Sequence, residues 1–298
     1  MSASIFTDIL LPFALALIMF GMGLGLTIKD FSRLFTAPEP IFVGLLGQLL
    51  LMPLLALGLC YGFGLSPELA IGMMILAACP GGTMSNLISQ LARANLALSV
   101  SLTSICTIVC VFTTPWLIHF SIQLFAMENP PEFSLLETSI GLIVITLLPV
   151  TIGITIKHKY ESFADKYEVY FRRFSLIFMI LMIIGIIIKE KGILASSFQQ
   201  VFGASLSLNL ISITLGVAIA KLTQLNHRDA ITLGIEVGIQ NAAMALLIAV
   251  TFLNEPAYAI TAGVYGLTMY IGPALLVWWS KLVNKADNKA ASLSDCPN

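Results

Sequence analysis

Six consecutive residues, Glu236-Val237-Gly238-Ile239-Gln240-Asn241, place a carboxylate, two carboxamides and a glycine in a run that is otherwise apolar from Ala230 to Leu253. That run is long enough to cross a bilayer. An ionisable group at bilayer depth is costly, so it faces a protein interior or a water-filled cavity and marks a functional site. The apolar segments offer it no buried basic partner, because Arg93, Lys189 and Lys191 fall near segment ends. The compensating charge expected for Glu236 is therefore a metal cation or a proton.

A second polar cluster follows Cys79-Pro80-Gly81-Gly82, in Thr83, Ser85 and Asn86. A sodium ion takes oxygen ligands: carboxylate, carboxamide, hydroxyl and unwound carbonyl. Glu236, Gln240, Asn241, Asn86, Ser85 and Thr83 supply all of these kinds. Ser99 and Thr103, one helical turn apart, add hydroxyls on one face. Ser101 and Thr107 are further hydroxyls on that segment, and Gln48 is a lone carboxamide in a Leu-rich run. Two readings stay open for these residues. A hydroxyl in a membrane helix often bonds the carbonyl one turn back, and a carboxamide can join two helices. The segments that restart after Gly82 and Gly238 would also point free amides inward, which suits an anion.

The elements that position these groups follow from composition. The chain has 298 residues, 58% hydrophobic and 10% charged, against about 25% charged in a soluble domain. Nearly all of it must lie in the membrane, as an all-α polytopic protein in one transmembrane domain (1–298). Spans of roughly 20 apolar residues fall at about 5–27, 40–62, 67–93, 96–125, 134–156, 173–188, 201–221, 229–253 and 257–280, nine in all. The polar connection from Lys157 to Arg173 could hold an amphipathic interfacial helix. With the N-terminus outside and the C-terminus cytoplasmic, thirteen of the fifteen basic residues fall inside and only Lys189 and Lys191 outside, as positive-inside bias requires.

Two of the spans are interrupted. Pro80 removes a backbone donor and biases Cys79 away from helix, and Gly81-Gly82 adds freedom. Gly234 and Gly238 accompany the polar cluster around Glu236. Gly/Pro-interrupted segments in matching places of two halves point to a transporter site. Spans 1–4 and 6–9 would be the halves, with the third span matching the eighth.

Other features carry less. Cys60, Cys79, Cys106, Cys110 and Cys296 form no CxxC pair and read as buried thiols. His119 reads as interfacial, and Trp116, Trp278 and Trp279 as interfacial anchors. The net charge of -1 and the lack of a basic stripe argue against a nucleic-acid partner. Met1 to Asp8 lacks the charged start of a secretory signal peptide. No phosphate loop, zinc motif or nucleophile–base pair is visible, so no enzyme and no cofactor are expected.

Met19-Phe20-Gly21-Met22-Gly23-Leu24, the stretch from Cys79 to Asn86, Ala94-Asn95-Leu96-Ala97-Leu98-Ser99, and Glu236 to Asn241 together resemble the bile acid:sodium symporter family. The resemblance runs from about Leu11 to Ser280 and implies a bacterial cytoplasmic (inner) membrane protein. It implies inverted-repeat panel and core domains with two crossing discontinuous helices. The panel would take approximately 1–38 and 134–190, the core approximately 39–127 and 199–256, with a last helix at 257–281. Many bacterial members carry an additional first helix; only about twenty residues precede the glycine-rich segment here, so a nine-span version is expected. Carried over by motif, one sodium site would use Ser85, Asn86, Ser99, Thr103 and Glu236. A second would use Gln48, Glu236 and Gln240 with the carbonyls of Val237 and Ile239. Gly82, Thr83 and Asn241 would line the substrate cavity.

The function expected is sodium-coupled import of an organic anion, bile-acid-like or a small carboxylate such as pantoate, by alternating access. The partners would be that anion, sodium and membrane lipid. The competing readings are a metalloid (arsenite-like) efflux carrier, for which Cys79 would be the thiolate, and a non-transporting membrane receptor or scaffold.

Overall fold

The protein is described from a computed structural model, which covers residues 10–82, 84–126 and 133–279. Thr83, Cys296 and the basic residues Lys281, Lys285 and Lys289 lie outside the described residues. Among those described, every regular element is a helix. In chain order they are α1 (Leu11–Leu24), α2 (Ile28–Thr36), α3 (Pro38–Gly62), α4 (Pro67–Ala78), α5 (Met84–Leu91) and α6 (Leu96–Phe125). There follow α7 (Leu135–Lys159), α8 (Glu161–Lys189), α9 (Lys191–Leu222), α10 (His227–Gly238), α11 (Ala242–Phe252) and α12 (Pro256–Trp279).

Six of these (α3, α6, α7, α8, α9 and α12) are long and apolar enough to cross a membrane, and α1 with α2 makes a seventh candidate bent by 64°. The pairs α4/α5 and α10/α11 are the interrupted segments. Each half is too short to span alone: α4 has 12 residues, α5 has 8 and α10 has 12. The chain is therefore a multi-pass, all-helical membrane protein.

Three expected boundaries change. No separate interfacial helix forms between Lys157 and Arg173. Instead α8 runs 29 residues without a break from Glu161. Nothing in that stretch is a helix breaker, and Lys157 reaches across the turn to the Asp165 carboxylate. Likewise α9 starts at Lys191, ten residues before the apolar run at 201, and extends for 32 residues. Polarity marks where a helix meets water; it does not end the helix. The first span also ends earlier, as α1 stops at Leu24 and Thr27 starts α2 by a capping box with Asp30.

Small residues set the packing. α1 lies against α7 and α8, α9 against α10, and α4 against α6 and α12, while α2 lies on α6. A Cβ at Gly23 would fall 2.3 Å from the Val150 carbonyl oxygen, so α1 and α7 touch backbone to backbone. Helices in lipid approach this closely only through small residues. α3 carries a widened turn at Gly47–Leu51, which turns Gln48 inward; such insertions recur at functional sites. Cys60, Cys79, Cys106 and Cys110 are all buried and unbridged. Trp116, Trp278 and Trp279 are exposed.

Gly23→Ala should lower the melting temperature in detergent, by overpacking of about 1–3 kcal/mol. Gly185→Ala, where an added Cβ meets nothing within 4 Å, should hold or raise it. The two scans side by side test the α1–α7 contact.

Candidate functional site

The two chain breaks meet. Gly82 N donates to Ile239 O at 3.1 Å and Asn241 N donates to Pro80 O at 2.9 Å, forming an antiparallel bridge between Gly81 and Gln240. Broken helices persist in lipid only if their freed backbone groups find partners. Here they do. The Ala78 carbonyl accepts from Thr114 Oγ1 at 2.6 Å and the Cys79 carbonyl from Gln48 Nε2 at 3.0 Å. The Val237 carbonyl accepts from Gln240 Nε2 at 2.8 Å. The Gly238 carbonyl accepts from both Asn209 Nδ2 and Tyr265 Oη, each at 2.9 Å. The second break falls one residue later than its glycine suggests: α10 includes Gly238, and α11 restarts at Ala242.

Behind this seam sits Glu236, 2% exposed. Its Oε2 accepts from Ser99 Oγ at 2.8 Å and its Oε1 from Thr103 Oγ1. Asn86 Oδ1 lies 2.9 Å from Ser99 Oγ and 3.5 Å from Thr103 Oγ1, and Ser85 Oγ lies 3.5 Å from Thr103 Oγ1. All five residues of the first expected group are thus in one cluster. Gly81 makes room for it, since a Cβ there would come within 2.9 Å of Glu236 Oε1.

The Ser99 and Thr103 hydroxyl protons are each within reach of more than one acceptor. The single Ser99 hydroxyl proton must choose between Glu236 and Asn86. The Thr103 proton must choose among Glu236, Asn86 and the Ser99 carbonyl. The Ser85 and Ser89 hydroxyls add protons at the edge of the cluster but no positive charge, and no ion pair involves Glu236 among the described residues. A buried carboxylate in that condition needs a cation or a proton. The oxygen-only set suits a small hard cation.

The second expected group is arranged differently. Gln48 Nε2 donates to Gln240 Oε1 at 2.8 Å and Gln240 Nε2 lies 3.3 Å from Gln48 Oε1. These carboxamides satisfy each other and the Cys79 and Val237 carbonyls. The Ile239 carbonyl is engaged by Gly82 N, with one lone pair left over. Ser101 and Thr107 bond their own i−4 carbonyls, at 2.8 and 2.7 Å, so for them the helix-bending reading holds. Thr103 Oγ1 lies within reach of both the Ser99 carbonyl, at 3.0 Å, and Glu236 Oε1, with one proton between them.

A cavity of about 40 Å³ adjoins the seam, and Glu236 is not among the residues lining it. Gly82, Gln240, Asn241 and the first residues of α11 form one wall, with α1 and α8 opposite. Asn241 caps α11, its Oδ1 accepting from Met244 N at 3.1 Å.

Residues 12–197 match the model of the sodium bile acid symporter family. The chain belongs to that family. It is 32% identical over 283 residues (94% of this chain, 86% of the relative) to the uncharacterized sodium-dependent transporter YocS of Bacillus subtilis. It is 28% identical over 276 residues (92% and 65%) to the probable sodium/metabolite cotransporter BASS2, chloroplastic, of Oryza sativa subsp. japonica. It is 26% identical over 246 residues (81% and 69%) to the ileal sodium/bile acid cotransporter of Oryctolagus cuniculus. The family is one of sodium-dependent transporters, not enzymes.

Several residues that organise the site in this symporter-family chain are not singled out as site residues by the sequence, although Asn95 lies in the Ala94 to Ser99 motif. Asn95 caps α6 through Leu98 N at 3.1 Å and donates to Asp229 Oδ1 at 2.7 Å, while Asn95 N donates to Thr232 Oγ1 at 2.9 Å. This tie fixes the register of α6 on α10 and so brings Ser99 and Thr103 to Glu236. Ser89 Oγ adds a 3.3 Å contact to Ser99 Oγ. Asn209 and Tyr265 hold the break at Gly238. Each is an ordinary polar residue in an apolar helix, and only the fold shows what it faces.

Gln48→Leu leaves the Gln240 carboxamide and the Cys79 carbonyl short of partners. It should destabilise the sodium-free protein by about 1–3 kcal/mol. Adding Gln240→Leu should cost less than the sum of the two single changes in a double-mutant cycle read by thermal melting.

Proposed function

We propose that this chain is a sodium-coupled symporter importing an organic anion by alternating access. The observation that carries the reading is the buried Glu236 carboxylate, ringed by Ser85, Asn86, Ser99 and Thr103 with no basic partner among the described residues. Sodium is the coupling ion expected of the family. One sodium ion takes these five residues as ligands. A second takes Gln48, Gln240, Glu236 and the carbonyls of Val237 and Ile239, once the two carboxamides rotate out of their mutual bond. Gly82 and Asn241 face the solute.

Counting each interrupted pair as one span gives nine, with the N-terminus outside and the C-terminus cytoplasmic, in a bacterial inner membrane. The α4/α5 and α10/α11 pairs are then the crossing helices of two inverted repeats. The panel is approximately 1–38 and 134–190, and the core approximately 39–127 and 199–256. A cavity of about 40 Å³ has room for a few waters and not for a whole organic acid. In the proposed cycle the panel helices α1 and α8 move away from the core to admit the acid, as the opening step of alternating access. Sodium at the seam orders both breaks, and the ordered half-helix starts then hold the anion. Coupling is the excess affinity of each ligand when the other is bound.

The efflux-carrier reading needs a reachable thiolate at Cys79. That side chain is fully buried, so Cys79→Ser should leave transport intact. Glu236→Ala should abolish sodium-driven uptake of taurocholate or pantoate into proteoliposomes. Asn241→Ala should weaken uptake yet keep most of the sodium-specific thermal stabilisation. Uptake of organic anions by the wild type that ignores the sodium gradient would refute the reading.

A further inference from the structure

The cavity that adjoins the seam contains a charge that the sodium chemistry does not use. Of the described residues lining it, only Arg172 of α8 carries a formal charge. Its neighbours include Ser175 and Met179 of α8, Ile18 of α1, Tyr270 of α12 and Asn241. Arg172 has one acidic partner, Glu168, one turn back, with its nitrogen 3.6 Å from the carboxylate oxygen and both side chains partly exposed. That distance is too long for a hydrogen bond, and such pairs hold a guanidinium weakly. Asn241 is 6% exposed, and its Oδ1 is committed to Met244 N. Its carboxamide NH₂ has no partner among the described residues. Arg172 and Asn241 thus line the same small cavity, along with the Ser175 and Tyr270 hydroxyls, and Arg172 and Ser175 also line a neighbouring one beside Glu168.

The placement of Arg172 is fixed by packing. Phe171 seats on Gly21, where an added Cβ would come within 2.2 Å of Phe171 Cβ, and its ring meets Phe20 edge-on at 5.1 Å. Arg173, next in the chain, is exposed and serves the positive-inside bias by itself. Glu236 is not among the residues lining the cavity.

We propose that Arg172 is the counter-charge for a carboxylate or sulfonate on the transported solute, with the Asn241 NH₂ as a second donor. This rests on the organic-anion reading above and deepens it. A planar guanidinium matches the two oxygens of a carboxylate in a paired contact. The apolar side chains lining the cavity, among them Ile18, Met22 and Met179, strengthen that contact by lowering the local dielectric. Glu168 holds the guanidinium when no anion is present, and the solute displaces it.

The test uses purified protein in a neutral detergent free of anionic lipid, with melting followed in sodium and in potassium. The probes are taurocholate and cholate against uncharged methyl cholate, and pantoate against uncharged pantolactone. In sodium, at least one acid should stabilise the wild type, and the uncharged analogues should not. Arg172→Gln should weaken that acid about 10- to 100-fold, Arg172→Lys less, and Glu168→Gln should leave it as tight or tighter. The shift from sodium alone should match wild type in all three variants. An unchanged anion affinity in Arg172→Gln overturns the assignment. If that variant does not fold, unchanged affinity in both Arg172→Lys and Glu168→Gln overturns it. A wild type that responds to sodium but to no acid overturns both this inference and the organic-anion part of the function. A wild type with no sodium-specific shift contradicts the symport reading; an acid response lost in Arg172→Gln would still uphold Arg172. A response that requires added phosphatidylglycerol identifies a lipid headgroup site instead and overturns the solute role.

Discussion

The structure depends on one buried carboxylate held among oxygen atoms. Glu236 is 2% exposed, meets Ser99 and Thr103, and has no basic partner among the described residues. Taking such a group out of water costs several kcal/mol unless an opposite charge answers it. Both chain breaks, the glycine at 81 and the hydroxyls of α6 serve that group. The breaks leave oxygens unclaimed by helix bonds, Gly81 lets the chain pass close to the carboxylate, and Asn95 with Asp229 sets the register of α6 against α10.

The seam between the breaks has two faces. One carries Glu236 and its lone-pair-rich neighbours. The other lines a small cavity with Arg172 and Asn241. Among the described residues, two backbone hydrogen bonds, Gly82 to Ile239 and Asn241 to Pro80, join the breaks directly. On the proposed mechanism this thinness is what couples the ligands. A cation that draws in Glu236 orders the same few peptides whose opposite side receives the anion. Neither ligand needs to touch the other, and each lowers the cost of ordering for its partner.

Much of this was legible in the sequence because lipid makes polar residues informative. Glu236, Gln240, Ser99 and Thr103 stand out in apolar runs, and Pro80-Gly81-Gly82 marks a break on steric grounds. Hydropathy located the segments but misread their ends at Lys191 and Glu161, where a helix continues into polar residues. Pairings across the fold were not legible. Nothing in the chain says that Gln48 meets Gln240, that Asn209 and Tyr265 share the Gly238 carbonyl, or that Arg172 turns to the cavity while Arg173 does not. Those facts are set by helix packing, and a residue's type says little about which neighbour it will have.

The most direct test of the central claim is thermal melting of wild type and Glu236→Gln in sodium and in potassium. Glutamine keeps the shape and removes the charge. Sodium should raise the wild-type melting temperature over potassium and leave Glu236→Gln unmoved. The variant should also be at least as stable as wild type in potassium, because it no longer buries an unanswered carboxylate. A sodium-specific shift that survives in Glu236→Gln would contradict that claim.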